Sequence, residues 1–274
     1  MRNLILTAAS GLSLLCVPAA LAQDSAEFEG PYVGGSVGLT IQPKDRSETI
    51  FFDRGFDGTR DTVTNTANAN VFSPGFCSGR ATGSANANCI SDRTAPEYHA
   101  RAGWDFQFGK FVVGAVGEFG KSEARDSVSA FSTTPASYTM TRELKWEAAV
   151  RLRAGYVLGT KTLAYLTAGP SYAKIDNSFA TSNTQNAFSS NGDSDSWGVS
   201  GGGGFEHKIG SNLSVGVEYL YTRYREDNYR VRATQGIANA INPFILFGSP
   251  GTEFRRSDRR FDFHAVRATA AFRF

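Results

Sequence analysis

A strict alternation of apolar and polar side chains near the end of the sequence constrains the fold more than any other feature. In FDFHAVRATAAFRF, residues 261–274, the even positions from 264 onward carry His264, Val266, Ala268, Ala270, Phe272 and Phe274. The odd positions include Arg267 and Arg273. A period of two residues is typical of a β-strand whose faces meet different surroundings. We therefore expect a strand here with one apolar and one charged face.

The same alternation recurs along the chain and predicts eight strands. It is clear in residues 98–108, 146–158 and 213–222, and weaker in residues 31–41, 111–121, 162–174 and 196–209. Each segment has the roughly 9 to 11 residues that a tilted strand needs to cross the hydrocarbon layer of a membrane. Beyond residue 22, no run reaches the roughly 18 to 20 apolar residues of a membrane-spanning helix.

Short and long connections alternate between the predicted strands. Gly109-Lys110, Gly159-Thr160-Lys161 and Gly210-Ser211-Asn212 are tight turns, whereas residues 42–96, 122–143, 175–195 and 227–257 are long and polar. This predicts an all-β fold, an eight-stranded antiparallel up-and-down transmembrane β-barrel with periplasmic turns and long extracellular loops. A soluble lipocalin-type barrel is the alternative, and it would turn the apolar faces inward. The unequal connections and the aromatic residues near strand ends favour the membrane barrel.

The first 22 residues have the pattern of a secretory signal peptide. Arg2 supplies a positive start, residues 4–21 are largely apolar, and Ala20-Leu21-Ala22 forms a small-x-small cleavage site. The barrel domain is then expected over residues 23–274. In an exported protein, Cys77 and Cys89 within a Gly/Ser/Asn-rich stretch predict a loop disulfide, since the alternative of a metal site lacks nearby His or further Cys.

The strand phase predicts which charged residues face the barrel interior. The inward set is Arg101, Glu118, Glu147, Arg151, Arg153, Glu218 and Arg267. Paired across the lumen, these nearly balanced charges would form a satisfied network that blocks water flow. Glu118 and Glu218 are each expected to accept from at least one of the four arginines. The alternative is that some of the charges lie near the rims and are solvated.

Nucleic-acid, nucleotide and catalytic roles find little support in the sequence. The formal net charge is only +2, too small for phosphate-based nucleic-acid binding. FGKS at 119–122 resembles the end of a phosphate loop, but Ala115 stands where its first Gly belongs. His99, His207 and His264 lack a nucleophile two residues later, and we expect them at strand ends or interfaces. We predict no enzyme activity, catalytic residue, cofactor or metal.

Several sequence segments resemble those of the small OmpA-like eight-stranded outer-membrane barrels of Gram-negative bacteria, especially the alphaproteobacterial surface antigens of the porin family. The segments are GPYVGGSVG at 30–38, VVGAVGEFG at 112–120, RLRAGYVLGTKTLAYLTAGPSYA at 151–173, GVSGGGGFEHKIGSNLSVGVEYLYTRY at 198–224 and the terminal RATAAFRF. The resemblance covers the strands and fails in the loops. It implies that Phe272 and Phe274 form a C-terminal signal for the outer-membrane assembly machinery, with no peptidoglycan-binding domain following.

The resemblance implies a monomer in the outer membrane, in contact with its lipids and lipopolysaccharide. We expect a structural and surface-interaction role, with a narrow porin-like channel as the alternative and a lipid A-modifying enzyme as a weaker one. Two apolar stretches stand in predicted loops, TIFF at 49–52 and IANAINPFILFGSPG at 237–251. They either pack on each other or form a contact surface for an extracellular ligand or host molecule. Some relatives bind haemin, but no matching motif carries that property to this chain.

Overall fold

The computed structural model describes residues 27–43, 48–86, 89–92 and 94–274. The predicted signal peptide lies outside these ranges. The elements are β1 (Gly30–Ile41), β2 (Ile50–Arg54), β3 (Gly75–Ser78), β4 (Arg80–Ala81), β5 (Cys89–Ile90), β6 (Thr94–Phe108), β7 (Phe111–Ser122), β8 (Arg125–Ser132), β9 (Ala136–Leu158), β10 (Thr162–Thr181), β11 (Ala187–Ser190), β12 (Ser194–Lys208), β13 (Leu213–Arg225), β14 (Val231–Thr234), a 3-10 helix (Leu246–Gly248), β15 (Thr252–Arg256) and β16 (Arg260–Arg273).

Eight antiparallel strands form a closed ring. The order is β1–β6–β7–β9–β10–β12–β13–β16, and β16 pairs with β1 from Tyr32↔Arg273 to Ile41↔His264. Closure leaves no unpaired strand edge in the ring, the condition a sheet must meet inside a membrane. The prediction of eight alternating antiparallel strands is confirmed. We call the end with the three tight turns the turn end, and the opposite end the loop end.

The apolar faces point away from the ring axis. Leu152 and Leu166 are each 72% exposed, and Trp197 is 71% exposed. The intervening positions carry buried polar and charged side chains. A soluble barrel of the lipocalin type would bury the apolar faces instead, so the exposed band excludes that alternative. Within the described ranges, no helix is long and apolar enough to span a membrane.

Two strands extend well past their predicted ends. β9 begins at Ala136 and β10 ends at Thr181, so the predicted loops 122–143 and 175–195 contain β-structure. Their register shifts where Lys174 pairs with Trp146 but Ile175 pairs with Leu144, which leaves an extra residue in β9. Such a bulge reverses the face occupied by the residues of β9 that precede Lys145, whereas β10 keeps its alternation. The sequence alternation therefore breaks at this point, although the strand continues.

The long connections fold into a packed layer above the ring. β11, β14, β15 and β2 form a four-stranded sheet, and β3 pairs with β8. The core of this layer contains Ile50, Phe52 and Phe244, with Phe52 stacked on Phe72 at a centroid distance of 4.2 Å. Parts of both apolar loop stretches thus pack together, whereas Ile237, Ile241 and Phe247 stay exposed.

A buried arginine ties this layer to the ring. Arg256 Nε and Nη2 donate to Glu48 at 2.8 and 2.6 Å, and Arg256 Nη2 lies 2.9 Å from Asp126 Oδ2. Arg142 Nε donates to the same Asp126 carboxylate at 2.8 Å. Burial alone would raise the pKa of Asp126, but the charges of Arg256 and Arg142 outweigh burial and lower that pKa. These four side chains hold β15, β8 and β9 together.

The predicted disulfide is present between Cys77 and Cys89, whose Cα atoms are 6.4 Å apart. It closes a segment of the β2–β6 connection with a sequence separation of 12. Its Cys77 end lies on β3, opposite Ser129 of β8. The bond therefore lies in the outer layer, and neither cysteine belongs to a ring strand.

Removing the disulfide should loosen this connection and leave the ring intact. Closing a loop of this length contributes about 3 kcal/mol in the chain-entropy model. For the Cys77→Ser/Cys89→Ser protein, we expect faster amide hydrogen exchange in residues 75–92 and unchanged exchange in β1 and β16. Intact-mass measurement after alkylation checks the bond in the parent protein. Two alkylated thiols in the unreduced parent protein, or loss of the folded ring in the variant, would contradict this expectation.

Candidate functional site: the charged ring interior

The interior of the ring is filled by charged side chains. The seven residues with predicted inward positions are all buried, each no more than 6% exposed: Arg101, Glu118, Glu147, Arg151, Arg153, Glu218 and Arg267. They come from five strands, β6, β7, β9, β13 and β16, because each strand directs every second side chain inward. The structure distributes them over three groups along the ring axis.

Glu118 is the centre of the middle group and is shared by three arginines. Its Oε2 lies 2.8 Å from Arg151 Nη1 and 3.0 Å from Arg267 Nη1. Its Oε1 lies 3.5 Å from Arg101 Nε. A carboxylate surrounded by three guanidinium groups neutralises part of their mutual repulsion.

Glu218 completes the middle group from the opposite wall. Arg101 Nη2 donates to Glu218 Oε2 at 3.2 Å, and Arg151 Nη2 donates to Oε1 at 3.3 Å. The Tyr165 hydroxyl donates to Oε2 at 2.9 Å. Arg101 and Arg151 therefore each bridge Glu118 and Glu218, and the four side chains span the lumen.

Arg153 belongs to a second group, nearer the turn end. It pairs with Glu206 and lies 3.6 Å from Asp105 Oδ2. Arg273 Nη2 contacts the same two acids, at 2.9 Å for Asp105 and 3.3 Å for Glu206. The guanidinium of Arg153 also lies 4.1 Å from the ring centroid of Tyr165. Sequence reasoning omitted Asp105, Glu206 and Arg273 from the inward set.

The alternation of inward and outward positions along each strand also places these three residues inward. Asp105 is four residues after Arg101, and Arg273 is six after Arg267, so both occupy the inward face of their strands. Glu206 lies one residue after the outward Phe205. Extending each alternation to the strand end would have found all three.

The third group lies toward the loop end and contains a histidine. His99 Nε2 lies 2.7 Å from Glu147 Oε1, and the Tyr224 hydroxyl donates to Glu147 Oε2 at 2.6 Å. Arg267 Nε donates to Glu97 at 2.5 Å. The expectation that every histidine lies at a strand end or interface is wrong for His99. It shares the inward phase of Arg101 on β6 and is 6% exposed.

Glu97, His99 and Glu147 offer ligand atoms that lie within 4.8 Å of one another, as in many metal sites. Both oxygens of Glu97, however, already accept from Arg267, and Thr40 donates a further hydrogen bond to Oε2 at 2.7 Å. An arginine within the cluster opposes a second cation. The arrangement is suited to ion pairing, and we assign no metal to it.

The charges of the three groups nearly balance. Six acids face five arginines, with His99 beside the acid Glu147; the acids are Glu97, Asp105, Glu118, Glu147, Glu206 and Glu218, and the arginines are Arg101, Arg151, Arg153, Arg267 and Arg273. Buried charges are tolerated when they are paired and hydrogen-bonded in this way.

Apolar side chains close both ends of the network. At the turn end, Phe28, Val112 and Leu163 belong to one buried cluster. At the loop end, Leu144, Ile175, Phe261, Phe263 and Tyr224 belong to another. The ion pairs thus lie between two apolar layers, and the low dielectric of these layers strengthens the pairing.

Comparison with known proteins places the chain among bacterial outer-membrane proteins. Residues 7–240 match the family model described as outer membrane protein beta-barrel domain. The 31 kDa outer-membrane immunogenic protein of Brucella melitensis is 31% identical over 123 residues, 44% of this chain and 51% of that protein. The 25 kDa outer-membrane immunogenic protein of Brucella abortus is 31% identical over 137 residues, 49% of this chain and 55% of that protein. The chain spans about half the length of these relatives.

Among solved structures, the outer membrane protein OprG from Pseudomonas aeruginosa has a TM-score of 0.49 and 13% sequence identity to this chain. The alignment covers 90% of this chain and 97% of OprG.

Removing the shared carboxylate should destabilise the ring strongly. With Glu118 replaced by Ala or by the near-isosteric Gln, three buried arginines lose a partner, and we expect the free energy of unfolding to fall by about 3 to 5 kcal/mol. Urea unfolding of the refolded protein in lipid or detergent, followed by tryptophan fluorescence, measures this change.

The control is Glu143→Ala, which breaks the pair with Arg125 at 2.6 Å, where the two side chains are 31% and 44% exposed. That exposed pair should contribute no more than about 1 kcal/mol. Equal stability of the Glu118 variants and the parent protein would show a solvated interior.

Proposed function

Because the chain belongs to the outer membrane protein beta-barrel domain family and lies in the outer membrane of a Gram-negative bacterium, we propose that it is a sealed membrane anchor that displays a folded loop layer at the cell surface. The observation that carries this proposal is the ion-pair network around Glu118 and Glu218, enclosed by apolar clusters at both ends. In this proposal the barrel has a structural role, and the loop layer takes part in interactions at the cell surface.

The seal follows from the dimensions of the ring. Eight strands enclose an interior about wide enough for side chains alone. Here long side chains reach across it, with Arg101 and Arg151 each contacting carboxylates from two different strands. A solute would have to break several charge-assisted hydrogen bonds at once.

The surface role is supported by the unequal ends of the ring. Tight turns such as Gly109-Lys110 join strands at one end, while the other end carries the packed layer around Phe52. We assign the turns to the periplasm and the layer to the cell exterior, the usual arrangement of outer-membrane barrels. The Brucella relatives are described as immunogenic, and a folded, exposed layer is the part of this chain that could share that property.

We assign no catalytic role to the histidines. His99 Nε2 lies against the Glu147 carboxylate inside the ring. His207 Nδ1, on β12, is 2.9 Å from Thr162 Oγ1 of the neighbouring strand β10. His264 Nδ1 is 2.6 Å from the Tyr219 hydroxyl on the outer face. At the chain end, Phe272 and Phe274 both face outward with centroids 5.3 Å apart, and we propose that they form the assembly signal.

A conductance measurement tests the seal. In a planar lipid bilayer, the refolded protein should show no steady conductance, whereas an open porin inserted under the same conditions should. A steady conductance on the order of a nanosiemens would support the porin-like alternative and overturn the plugged interior.

Cysteine labelling in whole cells tests the orientation. Ala67 is exposed in the β2–β3 connection, and Thr160 is exposed in a tight turn. Cys77 and Cys89 are bonded to each other and Cys16 lies in the predicted signal peptide, so a single added thiol gives a clean signal. A membrane-impermeant maleimide should label Ala67→Cys on intact cells, and Thr160→Cys only after the outer membrane is opened. Labelling of Thr160→Cys on intact cells would reverse the assignment.

A further inference from the structure

The loop layer exposes three large apolar side chains in the connection between β14 and β15. Among the residues that the structure describes, Phe247 is 82% exposed and Ile237 is 79% exposed, and Ile241 is also exposed. The lipid-facing side chains of the ring reach only 72%, at Leu152 and Leu166. Apolar side chains exposed to water in one short segment are typical of a surface that binds a partner.

These side chains lie at the far end of the molecule. β14 leads away from the ring and β15 returns to it, so residues 235–251 join the two strands at the end of the layer most distant from the ring. Arg54 ends β2 at the same level, opposite Thr252 at the start of β15. In the proposed orientation, this end of the layer faces away from the cell.

The apolar connection is anchored to the layer. The side-chain amides of Asn186 and Asn242 exchange hydrogen bonds at 3.2 and 3.1 Å, and Thr252 Oγ1 donates to Phe244 O at 2.8 Å. Phe244 itself is buried in the aromatic core. An ordered segment therefore presents the exposed side chains, which lowers the entropy cost of binding a partner.

Phe247 is exposed in a backbone conformation that bulky residues rarely adopt. Its φ of 62° and ψ of 27° place it in the left-handed region. Strain of this kind persists only where the surroundings hold it, and it is concentrated at contact sites and active sites. The guanidinium carbon of Arg54 lies 5.6 Å from the centroid of the Phe247 ring, so a positive charge lies beside the exposed ring.

One positive and one negative charge at this end have no partner of opposite sign in the described part of the chain. Arg54 Nη1 is buried without a hydrogen-bond partner, and no described acid pairs with this side chain. Asp57 is exposed, and its Oδ1 accepts from Thr59 N at 2.8 Å and from Thr59 Oγ1 at 2.6 Å. These two hydrogen bonds, first that of the hydroxyl, lower the pKa of Asp57 and keep it charged at neutral pH.

The two charges are kept apart within one copy. Arg54 lies beside the Phe247 ring, whereas Asp57 belongs to the exposed turn that begins at Gly55. Gly55 N donates to Gly251 O at 3.0 Å, which joins this turn to the apolar connection. We call the combined surface the crest; it consists of Arg54, Asp57, Ile237, Ile241 and Phe247.

We infer that the crest of one copy binds the crest of a second copy in an apposed membrane. A surface that carries apolar side chains, one unpaired cation and one unpaired anion is complementary to itself under a twofold rotation. The rotation brings Arg54 of each copy towards Asp57 of the other, while the apolar side chains cover one another. The contact joins two membranes and leaves each barrel a monomer in its own membrane.

The inference deepens the proposed surface role and rests on it. Five side chains from each copy make a small contact, and small contacts are weak when they act singly. Many such contacts between two membranes act together through avidity. We therefore expect adhesion between membranes that carry the protein, without stable pairs of the purified chain in detergent.

Clustering of lipid vesicles tests this inference. The full chain is refolded from urea into preformed vesicles, which leaves the loop layer outside because a large polar layer does not cross a bilayer. Light scattering then follows the clustering of these vesicles. Heat-dependent gel mobility verifies that each variant is folded, and protein-free vesicles show whether the lipid alone is bound.

Exchange of the two crest charges is the decisive comparison. Vesicles with the parent protein should cluster, whereas vesicles with Arg54→Asp or with Asp57→Arg should cluster about tenfold more slowly or not at all, because like charges then meet. A mixture of these two kinds of vesicle should cluster again, since every acid meets an arginine. The matched control is Arg259→Asp, the same charge change at a 61% exposed side chain in the β15–β16 connection, and it should cluster like the parent protein.

The apolar part of the crest has its own variant. Phe247→Asn removes the ring and supplies a residue that tolerates the left-handed conformation, so the connection should keep its shape while clustering slows about tenfold. Clustering of the Phe247→Asn or Arg54→Asp vesicles at the parent rate, or no recovery in the mixture, would overturn the inference. Absence of clustering by the parent vesicles would also overturn it, as would their binding to protein-free vesicles, since a bilayer would then be the occupant.

Failure here is distinguishable from failure of the proposed function. Vesicle clustering does not require a sealed interior, and refolding into preformed vesicles sets the orientation independently of cells. A sealed barrel with its layer at the cell surface whose vesicles stay separate would contradict only the crest contact. A conducting barrel whose vesicles cluster through the crest charges would contradict only the seal.

Discussion

The hydrogen-bonded closure between β1 and β16 is the constraint on which the rest of the structure depends. In hydrocarbon, an unpaired backbone amide or carbonyl costs several kcal/mol, so a sheet can span a membrane only when its first and last strands meet. The chain meets this condition with an alternation that ends in Phe272 and Arg273, opposite Val33 and Tyr32. Once the ring closes, its outer face must be apolar because it contacts lipid, and its interior must accommodate the side chains of all inward-facing residues.

A ring of eight strands leaves little interior space, so the inward side chains must also satisfy one another. Arginine suits this task because its planar group reaches two carboxylates at once, as Arg151 does with Glu118 and Glu218. Buried ion pairs add little net stability over apolar packing, but removing one partner is strongly unfavourable. The network therefore keeps the interior in one arrangement, and in the function that we propose the same contacts also block passage.

Above the membrane band the same strands serve a different purpose. The bulge at Lys145 turns the even-numbered side chains of β9 inward beyond it, so that Leu144 joins Ile175 of β10 in an apolar layer over the ion pairs. Farther from the membrane, Arg256 forms ion pairs with Glu48 and Asp126. These ion pairs hold the aromatic layer around Phe52 against the ring. The protein thus has two cores of opposite character, charged within the membrane and apolar outside it, because lipid faces the first and water faces the second.

The sequence by itself determined the number of ring strands, their phase within the predicted segments and the burial of residues such as Arg101 and Glu118, since a two-residue period needs no tertiary information. It could not determine which acid meets which arginine. Arg153 contacts Glu206 and Asp105 rather than Glu118, because the stagger of the closed ring sets the height of each residue along the axis. It also missed the upper halves of β9 and β10, which continue past the bulge that reverses the alternation in β9. Pairing across the lumen and packing of the loop layer were decided only by the tertiary structure, since both depend on residues far apart in the chain meeting in one fixed register.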